Sequence, residues 1–195
     1  MSRIAKMDRK TKETAIQLSL NLDGTGISEV HSDIHFLNHM LDLMTYHGRL
    51  DLHVNLAGDT EIDFHHSVED LGICLGMAFR QALGDAAGIH RYAWAVVPMD
   101  EACCQIALDI SNRPYLHFDT GLPKAKVGEF DTELVQEFFN AFVVNARVTL
   151  HIRILSGENL HHIIESIFKA FGMCLRQAVS VNPNDRRVPS TKGVL

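Results

Sequence analysis

Apolar and polar residues alternate from Thr14 to Asn21, through Ala15-Ile16-Gln17-Leu18-Ser19-Leu20. The alternation predicts a half-buried strand that ends at the turn signal Asp23-Gly24-Thr25-Gly26. Between Phe36 and Tyr46 the period changes, and Phe36, Met40, Leu43 and Met44 fall at helical spacing up to His47-Gly48. Alternation returns from Leu50 to Ala57, and a helix is expected from His65 to about Leu83. The same kinds of element follow: strands at Arg91 to Val97 and Ala102 to Ile110, a helix from about Thr132 to Asn145, a strand from Val148 to Leu155, and a helix from His161 to about Ser180.

The two long helices repeat one another. Val68, Leu71, Leu75 and Phe79 keep phase with Ile164, Ile167, Phe171 and Leu175, a stripe that core packing fully explains. Core packing does not explain the polar repeat: His65-His66-Ser67-Val68-Glu69 and His161-His162-Ile163-Ile164-Glu165 open the two helices in the same register. Upstream, Leu52-His53-Val54 aligns with Leu150-His151-Ile152, which brings Arg49 onto Arg147 and His39 onto Glu137. The pattern predicts an α+β fold of internally duplicated half-domains, a mostly antiparallel sheet with helices on one face. One domain is expected over residues 1–195, with halves at about 1–90 and 91–180 and a tail at 181–195. An open sheet face or helix layer needs a partner, so a homo-oligomer is expected.

Composition narrows the partners. With 46% hydrophobic and 22% charged residues the chain can build a core. A net charge of −6 and a pI near 6.0 argue against nucleic acid, and Arg186-Arg187 is the one pair of adjacent arginines. Cys74, Cys103, Cys104 and Cys174 show no Cys-x-x-Cys spacing, which favours a reducing compartment. The start, Met1-Ser2-Arg3-Ile4-Ala5-Lys6, lacks a signal-peptide core, and no membrane-length apolar run follows, so a soluble cytoplasmic protein is expected.

Twelve histidines are the unusual feature. On a helix His65 shares a face with Glu69, and His161 with Glu165, while His66 and His162 point about 100° away. Adjacent histidines thus serve two centres more easily than one, and His39 and Glu137 are the further donors that the duplication nominates. Imidazole and carboxylate without thiolate suit Mn²⁺, Fe²⁺ or Zn²⁺, with a preference for Mn²⁺. His47, His53 and His151 read as structural residues, and His31, His35, His90 and His117 as surface. Arg91, Arg113-Pro114 and the run Val188-Pro189-Ser190-Thr191-Lys192-Gly193 suggest an anion site, although physics alone reads the run as a frayed terminus.

Taken together these residues resemble the imidazoleglycerol-phosphate dehydratase family of histidine biosynthesis. The resemblance rests on Arg9-Lys10-Thr11-Lys12-Glu13-Thr14, Phe36-Leu37-Asn38-His39-Met40-Leu41, Asp63-Phe64-His65-His66-Ser67-Val68-Glu69-Asp70 and Asn112-Arg113-Pro114-Tyr115. It also rests on the second His-His motif with Phe168-Lys169-Ala170-Phe171, and on Pro189-Ser190-Thr191-Lys192-Gly193-Val194-Leu195. It implies a ribosomal protein S5 domain 2-like fold, in the monofunctional form, and a lyase that converts imidazole glycerol phosphate to imidazole acetol phosphate. It also implies two Mn²⁺ per active site, held by His39, His65, His66, Glu69, His161, His162 and Glu165, to which the duplication adds Glu137. The family often has histidine at the Glu137 position. Substrate contacts would be Glu13, His39, Arg91, Arg113, His161, Ser190, Thr191 and Lys192, with sites completed between subunits of trimers that assemble to a 24-mer. Glu13 is the expected acid and base, with His47 the second choice. A dinuclear metal phosphohydrolase and a non-catalytic metal-binding assembly are the competing readings.

Overall fold

The computed structural model describes residues 3–185 and 187–195. Met1, Ser2 and Arg186, one of the basic pair, lie outside the described residues. The first sheet begins with β1 (Ile4–Lys10), antiparallel to β2 (Thr14–Asn21). After β3 (Ser28–His31) and α1 (His35–Gly48) comes β4 (Asp51–Gly58), antiparallel to β2 and parallel to β3. The sheet order is β1-β2-β4-β3, and α2 (His65–Leu83) follows it.

The second half repeats the plan. β5 (Tyr92–Met99) and β6 (Ala102–Asp109) form a hairpin, followed by β7 (Tyr115–Asp119). A small hairpin, β8 (Lys126–Val127) and β9 (Phe130–Asp131), precedes α3 (Leu134–Ala146), β10 (Thr149–Ser156) and α4 (Leu160–Val179). The order β5-β6-β10-β7 again ends in a parallel edge strand, so the two sheets share one strand order.

Alternation explains which face each sheet buries. Ile16, Leu18 and Leu20 of β2 and Cys104, Ile106 and Leu108 of β6 are buried, while Gln17 and Gln105 face out. α2 covers β1 and β2, and α4 covers β5 and β6. The halves then meet helix to helix, α2 on α3 and α1 on α4, around fully buried Phe79, Phe138, Phe139, Phe142, Phe168 and Phe171. Each such aromatic or aliphatic side chain contributes about 1.5–3 kcal/mol of hydrophobic stabilisation.

Glycines set the closeness of these crossings. A Cβ on Gly72 would lie 2.7 Å from the Phe138 carbonyl, and one on Gly172 would run into the Met44 carbonyl. Helix backbones therefore touch directly, and side chains near the crossings on one helix reach the next.

Several sequence expectations need correction. β1 and β3 escaped the pattern because they are edge strands whose inward positions include the polar Arg9 and Ser28, while Lys6, Asp8, Lys10 and Glu29 face out. β7, another edge strand, also went unassigned, as did the two-residue strands of the β8–β9 hairpin. Arg91 does not open a strand: its φ is +70°, a left-handed conformation that turns the chain into β5 at Tyr92. Thr132 stays outside α3 because its hydroxyl donates to the Pro123 carbonyl.

Candidate active site and metal centre

The start of α4 is built to present imidazoles. Asn159 caps it, its Oδ1 accepting from the backbone N–H of His161 at 2.9 Å and of His162 at 3.4 Å. The two rings diverge, with planes at 80°. His161 Nε2 lies 3.2 Å from Glu165 Oε2, one turn along the helix. α1 crosses here, and His39 Nε2 lies 3.6 Å from the same oxygen. Donor atoms of His39, His161 and Glu165 all lie within 4.8 Å of one another, the one such set of three or more found among the described residues.

Glu165 is buried yet ionised. Burial pushes its carboxyl up, but Lys169 Nζ at 2.5 Å from Oε1 and His161 on Oε2 outweigh that and hold it below the usual carboxylate range. Two imidazoles and one anionic oxygen without thiolate form a donor set suited to a divalent first-row metal.

The other imidazoles are steered by carboxylates. His66 Nδ1 lies 3.0 Å from Asp59 Oδ2, and its Nε2 lies 3.8 Å from Glu13 Oε1. His162 Nδ1 lies 2.8 Å from Glu101 Oε2. These hydrogen bonds raise both imidazoles above their ordinary pKa, and the bond from His162 holds Glu101 down at about 2. His65 is anchored through its backbone N–H, which donates to Asp63 Oδ1 at 2.8 Å. Glu69 is exposed and Glu137 half-buried. With His65 they form no three-donor set among the described residues, although α2 and α3 are packed together.

Glu13 stands on a braced turn. Thr11 Oγ1 accepts from the backbone N–H of Glu13 at 3.1 Å and of Thr14 at 2.9 Å. Below the turn the Thr14 hydroxyl donates to Asp70 Oδ2, and Arg9 Nη2 donates to Asp70 Oδ1 at 2.7 Å. The hairpin is thereby tied to α2, and the Glu13 carboxylate is left exposed beside His66.

The anion-site residues gather elsewhere. Arg91 is buried, grips Asp109 through Nε at 2.7 Å and Nη2 at 3.2 Å, and donates from Nη1 to the Pro189 carbonyl at 2.8 Å. It thus fastens the tail: Ser190 and Thr191 line a recess with Arg91 and Tyr92, and the Lys192 N–H donates to Ser190 Oγ. Exposed Arg113 lies 3.6 Å from Asp109 Oδ2. Arg91 N–H donates to the Ala178 carbonyl near the C-terminal end of α4, whereas His161 opens that helix. At 1.5 Å per residue the separation along α4 is about 25 Å. One chain therefore does not bring its metal-type cluster and its anion-type cluster together.

His47 sits eight residues beyond His39 on α1, about 12 Å along the helix. Burial lowers its pKa, with Lys169 adding to the effect. His53 pairs with Glu29 at 2.9 Å, and His151 stacks near His117, both pairs exposed on strands β3–β4 and β7–β10. Sequence reasoning missed Asp59, Glu101, Asp109 and Lys169. Lys169 was findable as a charge four residues after Glu165 on one helix face, whereas the other three meet their partners only through the fold.

The family model for imidazoleglycerol-phosphate dehydratase matches residues 32–175. Imidazoleglycerol-phosphate dehydratases of Pelobacter propionicus and Desulforamulus reducens are 53% and 56% identical over 195 residues, covering all of this chain and all of each relative. Among solved structures, that of the dehydratase from Staphylococcus aureus superposes with a TM-score of 0.83 at 42% identity, covering 92% of this chain and 99% of that one. The Pyrococcus furiosus enzyme gives 0.82 at 37% identity, covering 97% and 100%. Family match, full-length identity and shared fold agree, and the chain belongs to the imidazoleglycerol-phosphate dehydratase family.

Proposed function

We propose that this chain dehydrates imidazole glycerol phosphate to imidazole acetol phosphate in L-histidine biosynthesis, using Mn²⁺, two ions per active site. The observation that carries the reading is the convergence of His39, His161 and Glu165 across two helices in a chain of this family. That donor set fits the metal, since it offers one ionised carboxylate and two imidazoles and no sulfur. His65, His66, Glu69, Glu137 and His162 would supply the remaining ligands.

The reaction removes the hydroxyl beside the ring and the proton on the next carbon, with no carbonyl to acidify that proton. When bound, the metals supply Lewis-acid charge at the imidazole ring. Glu13 then acts at two atoms: its carboxylic acid protonates the leaving hydroxyl oxygen, and the resulting carboxylate takes the neighbouring C–H proton. The enol so formed tautomerises to the ketone. His39 and His161 flank the ring, while Arg91, Arg113, Ser190, Thr191 and Lys192 hold the phosphate.

The separation of about 25 Å along α4 between His161 and the Arg91 end supports sites completed between subunits. We place the enzyme in the cytoplasm as a homo-oligomer, trimers assembling to a 24-mer. Among the described residues no helix is long and apolar enough to cross a membrane, and the four cysteines are free.

Turnover by metal-stripped protein, with and without added Mn²⁺, tests the reading when ketone and free phosphate are followed together. Ketone formed only with Mn²⁺ and without phosphate release is expected. Phosphate without ketone would identify a hydrolase, and metal uptake with neither product a binding assembly.

A further inference from the structure

The duplication is symmetric in topology but not in the groups that hold its two paired histidines. In the first ladder Leu18 pairs with Val54, and in the second Ile106 pairs with Ile152. Glu13 precedes Leu18, and Glu101 precedes Ile106, by the same five positions, so the two glutamates are counterparts on the two hairpin turns. They do different things. Glu101 Oε2 lies 2.8 Å from His162 Nδ1, and its Oε1 accepts from the N–H of Asn159 at 2.9 Å and of Glu158 at 3.3 Å. Glu13 lies on the far side of its histidine, 3.8 Å from His66 Nε2, because Asp59 already occupies Nδ1 at 3.0 Å.

The cause of the difference lies in the loops between strand and helix. Six residues, 59–64, join β4 to α2 and begin with Asp59. Three residues, 157–159, join β10 to α4 and begin with Gly157. Gly157 has φ +144°, and a Cβ there would lie 2.7 Å from Ile163 Cγ1 and 3.0 Å from the Ala102 side chain. The short loop therefore leaves no room for an aspartate at its first position, and the hairpin glutamate takes over its task. In the first half the longer loop supplies the aspartate and releases the hairpin glutamate.

An ionised carboxylate can only accept, so a histidine bonded to one through Nδ1 carries its proton there and presents a bare Nε2 lone pair. A carboxylate behind an imidazole in this way fixes ring orientation and raises ligand basicity. We infer that Asp59 and Glu101 are positioning residues that fix His66 and His162 as Nδ1–H tautomers with Nε2 directed to metal. The unequal loops leave Glu13, and not its counterpart Glu101, free to move protons. The inference rests on the reading of these histidines as metal ligands.

Titration of metal-stripped protein with Mn²⁺, followed by the electron paramagnetic resonance of the free ion, tests it. Asp59→Ala and Glu101→Ala should each weaken binding about 10–100-fold, and Glu13→Ala should leave it within about twofold of wild type. Asp59→Asn and Glu101→Gln keep an acceptor oxygen and should recover most of the loss. Nitrogen-15 spectra of labelled histidine should show Nδ1–H imidazoles in wild type and a mixture in the alanine variants. Circular dichroism melts in chelator establish that each variant is folded. Folded alanine variants that bind as wild type, amide variants no better than alanine, or a Glu13→Ala loss equal to that of Glu101→Ala would each overturn the inference. Wild-type protein that fails to bind Mn²⁺ would instead remove the metal-ligand reading itself, and the inference with it.

Discussion

His39 Nε2 of α1 lies 3.6 Å from Glu165 Oε2 of α4, two residues brought together from opposite halves of the chain. The contact exists because Gly172 lets the α1 backbone approach α4 without an intervening side chain. Glu165→Gln removes the one anionic donor of the cluster, and His39→Ala removes the one contributed across the halves. Each should weaken Mn²⁺ binding by on the order of 100-fold, at least as much as loss of a supporting hydrogen bond costs. Metal content after dialysis, measured beside turnover, checks this, and full metal retention by Glu165→Gln would contradict it.

The helix crossings themselves make a second prediction. Gly172→Ala would ordinarily gain about 1 kcal/mol of helix propensity, but its new methyl meets the Met44 carbonyl, a backbone atom that cannot rotate aside. Overpacking of this kind costs about 1–3 kcal/mol, so a lower midpoint in denaturant unfolding is expected. Gly84, by contrast, has open space around it, and its change to Ala probes only the strain of φ +62°.

Legibility in the sequence follows burial. β2, β6, α2 and α4 each have one wet face and one dry face, so the period of their apolar residues is the period of the element. β1 and β3 lie at sheet edges, and although their exposure alternates, the inward positions include Arg9 and Ser28, so the alternation leaves no apolar pattern to read. In the site, helical geometry alone places His161 over Glu165, and the repeat points to His39. Nothing in the spacing of Asp59 or Glu101 announces a histidine partner, since one comes from a loop and the other from a hairpin turn brought up by the sheet register. The distance between Arg91 and His161 is equally silent in sequence, because it depends on which end of α4 each one meets.

Burial of the thiols gives a pH dependence. Cys104 and Cys174 are pushed up to about 12 and Cys74 to about 11, from 9.0, by removal from water. A folded pKa above the unfolded one means that the folded state holds its protons longer. This stability is complete below pH 9 and is lost as pH rises from there toward the folded values. Between about pH 8 and about pH 10.5 each thiol should cost on the order of 1–2 kcal/mol. Guanidinium unfolding at the two pH values checks the sign, and Cys174→Ala should reduce the loss. At neutral pH half-buried Cys103 should be the one thiol alkylated before unfolding.

Arg91 is the strongest test of the tail. Its guanidinium holds both Asp109 oxygens and the Pro189 carbonyl, and its Cζ lies 4.6 Å from the centre of the Tyr92 ring. Lysine keeps the charge but reaches only one of these partners at a time. In Arg91→Lys the tail carrying Ser190 and Lys192 loses its anchor at Pro189, which should raise KM for the phosphorylated substrate about tenfold, the size of one charge-assisted hydrogen bond. Mn²⁺ affinity should not change, because Arg91 meets α4 about 25 Å from His161. Steady-state kinetics with a parallel Mn²⁺ titration separates the two effects. An unchanged KM would show that the tail holds its place without Arg91 and that the Arg91 fork does not hold the phosphate, whereas a fall in metal affinity would show that the two ends of α4 communicate within the chain.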